Sequence, residues 1–109
     1  NFLAFLDVFP IVKGHVLVIP KVNIDKFYHL DDALIAQWLV FAKPIANAIE
    51  KAFPCKRVGL SIVGIEVPHA HIHLIPINNV EDMNFSKPKL KFTEQEFKEI
   101  QDSIIKALL

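Results

Sequence analysis

Cysteine is nearly absent from this chain. Its one thiol, Cys55, excludes an intramolecular disulfide and a Cys-x-x-Cys zinc knuckle within the sequence, and a free thiol fits a reducing, cytoplasmic setting. No sign of charge dominates either, because 12 Lys and Arg balance 12 Asp and Glu. Without a basic run there is no footprint of a protein that coats DNA or RNA, so any nucleic-acid-like ligand is a small one and no nucleic-acid polymer is expected. No apolar run reaches the roughly 20 residues that cross a bilayer, and no membrane partner is expected. The opening Asn1-Phe2-Leu3-Ala4-Phe5-Leu6 lacks a basic leader and runs into Asp7 and Pro10, so it reads as a strand rather than a signal peptide. A starting Met is also lacking, and a segment is expected to precede Asn1 in the whole protein. No internal repeat or low-complexity tract divides the 109 residues, which are read as one domain spanning 1–109.

What the chain does have is apolar residues, at 52%, and their spacing assigns elements. Phe2 to Leu6 reads as a short buried strand ended by Asp7-Val8-Phe9-Pro10, and His15 to Ile19 as a second, stopped by Pro20. Asp31 or Asp32 can cap a helix in which Leu34, Trp38, Phe41, Ile45 and Ile49 recur at helical spacing. Pro44 falls inside that run and should kink or divide the helix, since it removes a donor and crowds the preceding turn. Arg57 to Val63 is a third strand, Gly64 to Pro68 a tight link, and Ile77 to Lys91 a loop. Thr93-Glu94-Gln95-Glu96 has the form of a capping box, opening a last helix with Phe97, Ile100, Ile104 and Leu108 as its buried stripe.

Between the prolines at 68 and 76 lies His69-Ala70-His71-Ile72-His73-Leu74-Ile75. Alternation of imidazole with apolar residues predicts a strand antiparallel to the third, with His69, His71 and His73 along one wall, neighbours roughly 6.5–7 Å apart. The bland reading is three solvent-facing histidines on an edge strand. Two chemistries compete with it. Two imidazoles could bind a transition metal, with His15 as third ligand and Glu66 or Asp7 approaching in space, although no HExxH or Cys-rich partner is present. Alternatively, one imidazole attacks an electrophile while its neighbours hold the oxygens of a phosphoryl group, and His71, flanked by an imidazole on each side, is the natural nucleophile.

His69 to Ile75 resembles the histidine triad signature of the HIT superfamily. Ala4 to Pro10 and Gly14 to Lys21 are similar to that family's nucleoside-binding and second-strand segments, so the joint match spans roughly residues 2 to 77. The resemblance implies an α+β fold, a HIT-like antiparallel sheet packed with a long helix and a C-terminal helix. It also implies a nucleotide hydrolase or transferase that cleaves a bond to the α-phosphorus of a purine nucleotide through a nucleotidyl-histidine intermediate, with no cofactor and no metal. His71 is then the nucleophile, His69 orients its ring through a backbone carbonyl, and His73 helps bind the phosphate. His15 matches an additional family histidine, Asp7 accepts hydrogen bonds from the ribose, and Phe5 and Val8 form a slot for the base. Histidine at position 73 favours the hydrolase-like branches, with Hint-type nucleoside phosphoramidases first and Fhit-type dinucleoside polyphosphate hydrolases as the alternative. A homodimer is implied as well.

Two departures stand beside these similarities. The family's glycine-rich link before the triad is replaced by Gly64-Ile65-Glu66-Val67-Pro68, which puts Glu66 where a Ser or Thr contacts the leaving group. A carboxylate there carries protons or repels an anionic leaving group. The family's front strand and helix, which contribute to the base pocket, are also missing. These departures keep two alternatives in view: a nucleotide-binding or protein-interaction module without turnover, and a metal-dependent hydrolase.

Overall fold

The front of the chain is a hairpin. In the computed structural model, which describes residues 1–109, β1 (Phe2–Leu6) and β2 (Val16–Pro20) pair antiparallel, from Phe2 opposite Pro20 to Leu6 opposite Val16. The polypeptide then forms a short 3-10 turn at Phe27–His29 and α1 (Asp32–Ala52). Next come β3 (Arg57–Ser61) and β4 (Ile72–Ile77), a second 3-10 turn at Val80–Met83 and α2 (Glu94–Leu108). The strands form one antiparallel sheet in the order β1-β2-β4-β3, the α+β arrangement the sequence implies. β4 is central and pairs with both β2 and β3, and from Ile72 to Pro76 every residue is buried. That double coverage accounts for its unbroken apolar character apart from His73.

Helix α1 lies against β2, β3 and β4 and also packs on α2. Trp38, Ala42, Ile45, Ala48 and Ile49 form its inward stripe and meet Val16, Val18, Ile72 and Leu74 of the sheet and Ile100 and Ile104 of α2. Each large apolar side chain buried this way contributes about 1.5–3 kcal/mol. Trp38 adds direction, because its indole N–H donates to the Val18 carbonyl at 3.1 Å. Pro44 neither divides nor ends α1, which runs continuously over 21 residues. Val40, four residues earlier, is 70% exposed, so water can serve the carbonyl that Pro44 deprives of a donor. At the start of α2 the expected capping box is present: Glu96 N–H donates to Thr93 Oγ1 at 3.1 Å, and Thr93 N–H to Glu96 Oε1 at 2.8 Å. In its stripe Ile100 and Ile104 are buried, Phe97 is half-buried and Leu108 is exposed.

The histidine segment departs from the expected strand. Only His73 lies within β4, while His69 and His71 precede it. The sheet releases the chain there because its partners run out. Past the Val18–Ile72 pair the Val18 carbonyl is occupied by Trp38, Pro20 has no N–H to offer, and Ala70 N–H donates to Ile24 O at 2.7 Å instead.

Candidate active site

The segment that leaves the sheet is held by side chains and carbonyls. His69 Nε2 donates to Pro20 O at 2.7 Å, which turns that imidazole toward the end of β2. His69 is therefore absent from the wall where three alternating histidines were expected. The cavity beside β4, about 320 Å³, is lined instead by His71, His73 and His15. His71 accordingly has one imidazole neighbour rather than two, His73, at 4.8 Å between ring centroids. Gly64 opens the link that roofs His71. Its φ of +62° favours glycine, and a Cβ there would lie 3.7 Å from His71 Cε1.

Two backbone groups assign the ring protons. Ile11 N–H donates to His15 Nδ1 at 3.2 Å, so in the neutral ring the proton resides on Nε2. That Nε2–H donates to His73 Nδ1 at 2.9 Å, which leaves the His73 proton on its own Nε2. On the other side, His71 Nδ1 lies 2.8 Å from the His69 carbonyl, an acceptor only, so Nδ1 carries the proton and the Nε2 lone pair of His71 is free. The cavity thus holds one imidazole with an unshared lone pair beside one that carries N–H at the equivalent atom. The expected route from His69 to His71 through a backbone carbonyl is present as geometry.

Burial enforces neutrality in the linked pair. His15 and His73 are only 2% and 8% exposed, and desolvation is the main cause that pushes each down to about 4. The neighbouring Asp7 opposes the shift, its Oδ2 lying 3.5 Å from His15 Nε2, while its Oδ1 accepts from Phe9 N–H at 2.8 Å. Asp7, His15 and His73 are also the one cluster whose donor atoms, all within 4.8 Å of one another, could converge on a metal ion. A metal on His15 Nε2 would have to displace its proton and move it to Nδ1, where Ile11 N–H already donates. The hydrogen-bond order and a metal compete for the same atoms.

The other residues singled out in the sequence divide. Asp7 and Glu66 line the histidine cavity, Glu66 as an exposed carboxylate on the link. Phe5 does not. It faces a separate apolar groove of about 540 Å³ between β1, α1 and α2. Val8, 64% exposed on the loop after β1, is not among the residues lining the histidine cavity. Among the lining residues without a site role expected from the sequence are Phe9, Phe85, whose ring meets His73 at 4.7 Å, and Lys89. Phe9 could have been found from its place two residues after Asp7. Nothing local marks Phe85 or Lys89, which a loop folding back from β4 brings in.

Known proteins resemble this chain in sequence and in fold. The HIT domain model matches residues 1–80. The adenosine 5′-monophosphoramidase of Schizosaccharomyces pombe is 34% identical over 104 residues, covering 94% of this chain and 78% of that protein. The asymmetrical bis(5′-nucleosyl)-tetraphosphatase of the same yeast is 31% identical over 98 residues, covering 85% of this chain and 52% of that one. Among solved structures, a hypothetical histidine triad nucleotide-binding protein from Sulfolobus tokodaii superposes with a TM-score of 0.81 at 24% identity, over 99% of this chain and 78% of that one. With a matching sheet and helices, the ordered histidines and a domain model that covers most of its length, this chain belongs to the HIT family.

Proposed function

We propose that this protein is a nucleotidyl hydrolase or transferase in which His71 attacks the α-phosphorus of a purine nucleotide. The free Nε2 lone pair of His71 carries this reading, because a nucleophilic imidazole must have its other nitrogen held as a donor. Attack forms the Nε2–P bond and breaks the bond from phosphorus to the leaving group. The positive charge that develops on the imidazolium is met at Nδ1–H by the His69 carbonyl, 2.8 Å away. His73, with its Nε2–H oriented by His15, offers a hydrogen bond to a nonbridging oxygen, and a fixed donor of this kind is worth about 10²–10³ in rate. Glu66 supplies a proton to an amine leaving group and takes one from the water that then cleaves the Nε2–P bond. Asp7, beside His15, retains lone pairs for the ribose hydroxyls. No resident metal or cofactor takes part in these steps. Relatives named for phosphoramidate and tetraphosphate hydrolysis define the substrate classes to try first. We further place the protein in the cytoplasm as a single-domain homodimer, for which the unpaired outer edge of β3 leaves room.

The test is hydrolysis of adenosine 5′-phosphoramidate and of diadenosine polyphosphates by the wild type and by His71→Asn, each with and without a chelator. A chelator-insensitive activity that His71→Asn abolishes, with an acid-labile nucleotidyl adduct trapped on the wild type, is the expected result. Activity in the variant comparable to wild type sinks the mechanism.

A further inference from the structure

The cavity has an unbalanced charge unless one side chain is counted. Asp7 brings a carboxylate, Glu66 a second carboxyl group that is anionic once it has given up its proton, and His15 and His73 are held neutral by burial. Lys89 is the only lysine or arginine among the lining residues. Without it, a nucleotide phosphate would enter a site of its own sign. The lysine is exposed, yet bonds to its own turn restrain it. Its segment is tied to the loop after β1, where Leu90 N–H donates to Pro10 O at 2.8 Å, and carries a local turn in which Ser86 N–H donates to Asn84 Oδ1 at 2.9 Å. The Lys89 ammonium donates to Phe85 O at 2.5 Å and to Lys87 O at 3.3 Å. Both acceptors are uncharged carbonyls. The protein's one lysine–carboxylate ion pair, Lys98 with Asp102, does not involve Lys89, so its charge is not cancelled by a carboxylate. Its field already reaches His15 and His73, whose protonation it disfavours.

The geometry points to Lys89 as the phosphate-binding cation of this site, one that favours substrates with an anionic polyphosphate chain over the less charged phosphoramidates. The assignment deepens the nucleotidyl-transfer reading and rests on it for the identity of the ligand. An ammonium with three donors, two of them committed to the carbonyls of its own turn, keeps one for a phosphate oxygen. The bond to Phe85 O ties the ammonium to the residue whose ring meets His73, which fixes the cation relative to the phosphate-facing imidazole. A lysine without these carbonyl partners would have neither property.

The test compares AMP with adenosine as calorimetric ligands for the wild type, Lys89→Gln and Lys89→Arg, since the two ligands differ by the phosphate alone. Lys89→Gln is expected to weaken AMP by about tenfold, the scale of one charge-assisted hydrogen bond, while adenosine binding is unchanged and Lys89→Arg restores AMP. Specificity is read in parallel, as the ratio of kcat/KM for diadenosine tetraphosphate to that for adenosine 5′-phosphoramidate, which Lys89→Gln should lower. A wild-type AMP affinity that falls with added NaCl, against an adenosine affinity that does not, tests the charge without any variant. Equal AMP affinity in wild type and Lys89→Gln overturns the assignment, as does a loss that adenosine shares. Should AMP binding depend on Lys89 while no substrate turns over, the lysine's role stands and the histidine nucleophile falls; should turnover require His71 and ignore Lys89, the reverse holds.

Discussion

Acidification from pH 7 to pH 5 should weaken the fold through the buried His15–His73 pair. Both imidazoles are held neutral in the native state with values near 4, against 6.5 for the free side chain. The unfolded chain therefore binds more protons than the native one throughout this window, and stability falls as pH falls. The contribution is present above the unfolded value and is lost progressively down to the native one. For one such group the change between pH 7 and pH 5 is about 2 kcal/mol, from the difference in proton binding at the two pKa values, and for the pair it is at most about 4. That is a large share of the roughly 5–15 kcal/mol of a domain this size. Urea denaturation at the two pH values, read by the fluorescence of Trp38, measures it, and stopping at pH 5 leaves most carboxylates ionised. His73→Gln should flatten the profile while lowering stability at pH 7. A wild-type unfolding free energy that changes by less than about 0.5 kcal/mol between pH 7 and pH 5 would refute the neutral pair.

Other substitutions test single links of the structure. His15→Phe leaves Ile11 N–H and His73 Nδ1 without partners in a buried position, and should cost about 2–5 kcal/mol in urea unfolding. Gly64→Ala forces an L side chain to φ +62° with no clash at 3.7 Å from His71, so a loss of about 1 kcal/mol and a lower kcat/KM are expected from the link rather than the core. Pro44→Ala restores a donor within α1 at an exposed turn, and its midpoint in urea should rise by the equivalent of about 1 kcal/mol or more. A lower midpoint would show that the proline ring contributes packing to the groove it shares with Phe5.

The sequence exposes those parts of the fold that repeat. The spacing of Trp38, Ile45 and Ile49 reflects burial on one side, which composition must obey, whereas Phe2–Leu6 is apolar throughout, and its alternation of half-buried with exposed positions, in place of a fully buried strand, is not written in its composition. Thr93 and Glu96 are legible because a cap is a local bond between near neighbours. The histidine run misled for the same reason that it attracted notice. Its alternation is that of a strand, yet a strand also needs a partner with free donors and acceptors, and Trp38, Pro20 and Ile24 have removed them three elements away. His15, read alone, is an ordinary residue at the start of a strand. Only its fold-mediated distance of 2.9 Å to His73, 58 positions later, makes it part of the site. Phe5 alternates correctly for a strand face, but alternation does not say which of two cavities that face lines.

Proton placement is where backbone and chemistry meet. Each of three neighbouring neutral imidazoles has two tautomers, and side-chain proximity alone does not choose between them. Here the choice is made from outside the rings, by one N–H at Ile11 and one carbonyl at His69. The N–H passes through two buried rings before reaching the cavity as a donor on His73, while the carbonyl acts directly and leaves His71 with a lone pair. Neither backbone group can be changed by substituting a histidine, and the carbonyl depends on the chain leaving the sheet at Ile72, since a His69 carbonyl used in a ladder would be committed to a neighbouring strand. The broken strand is therefore the condition for a nucleophile at position 71, and a substitution that extends β4 toward His69 should silence the site with every histidine still in place.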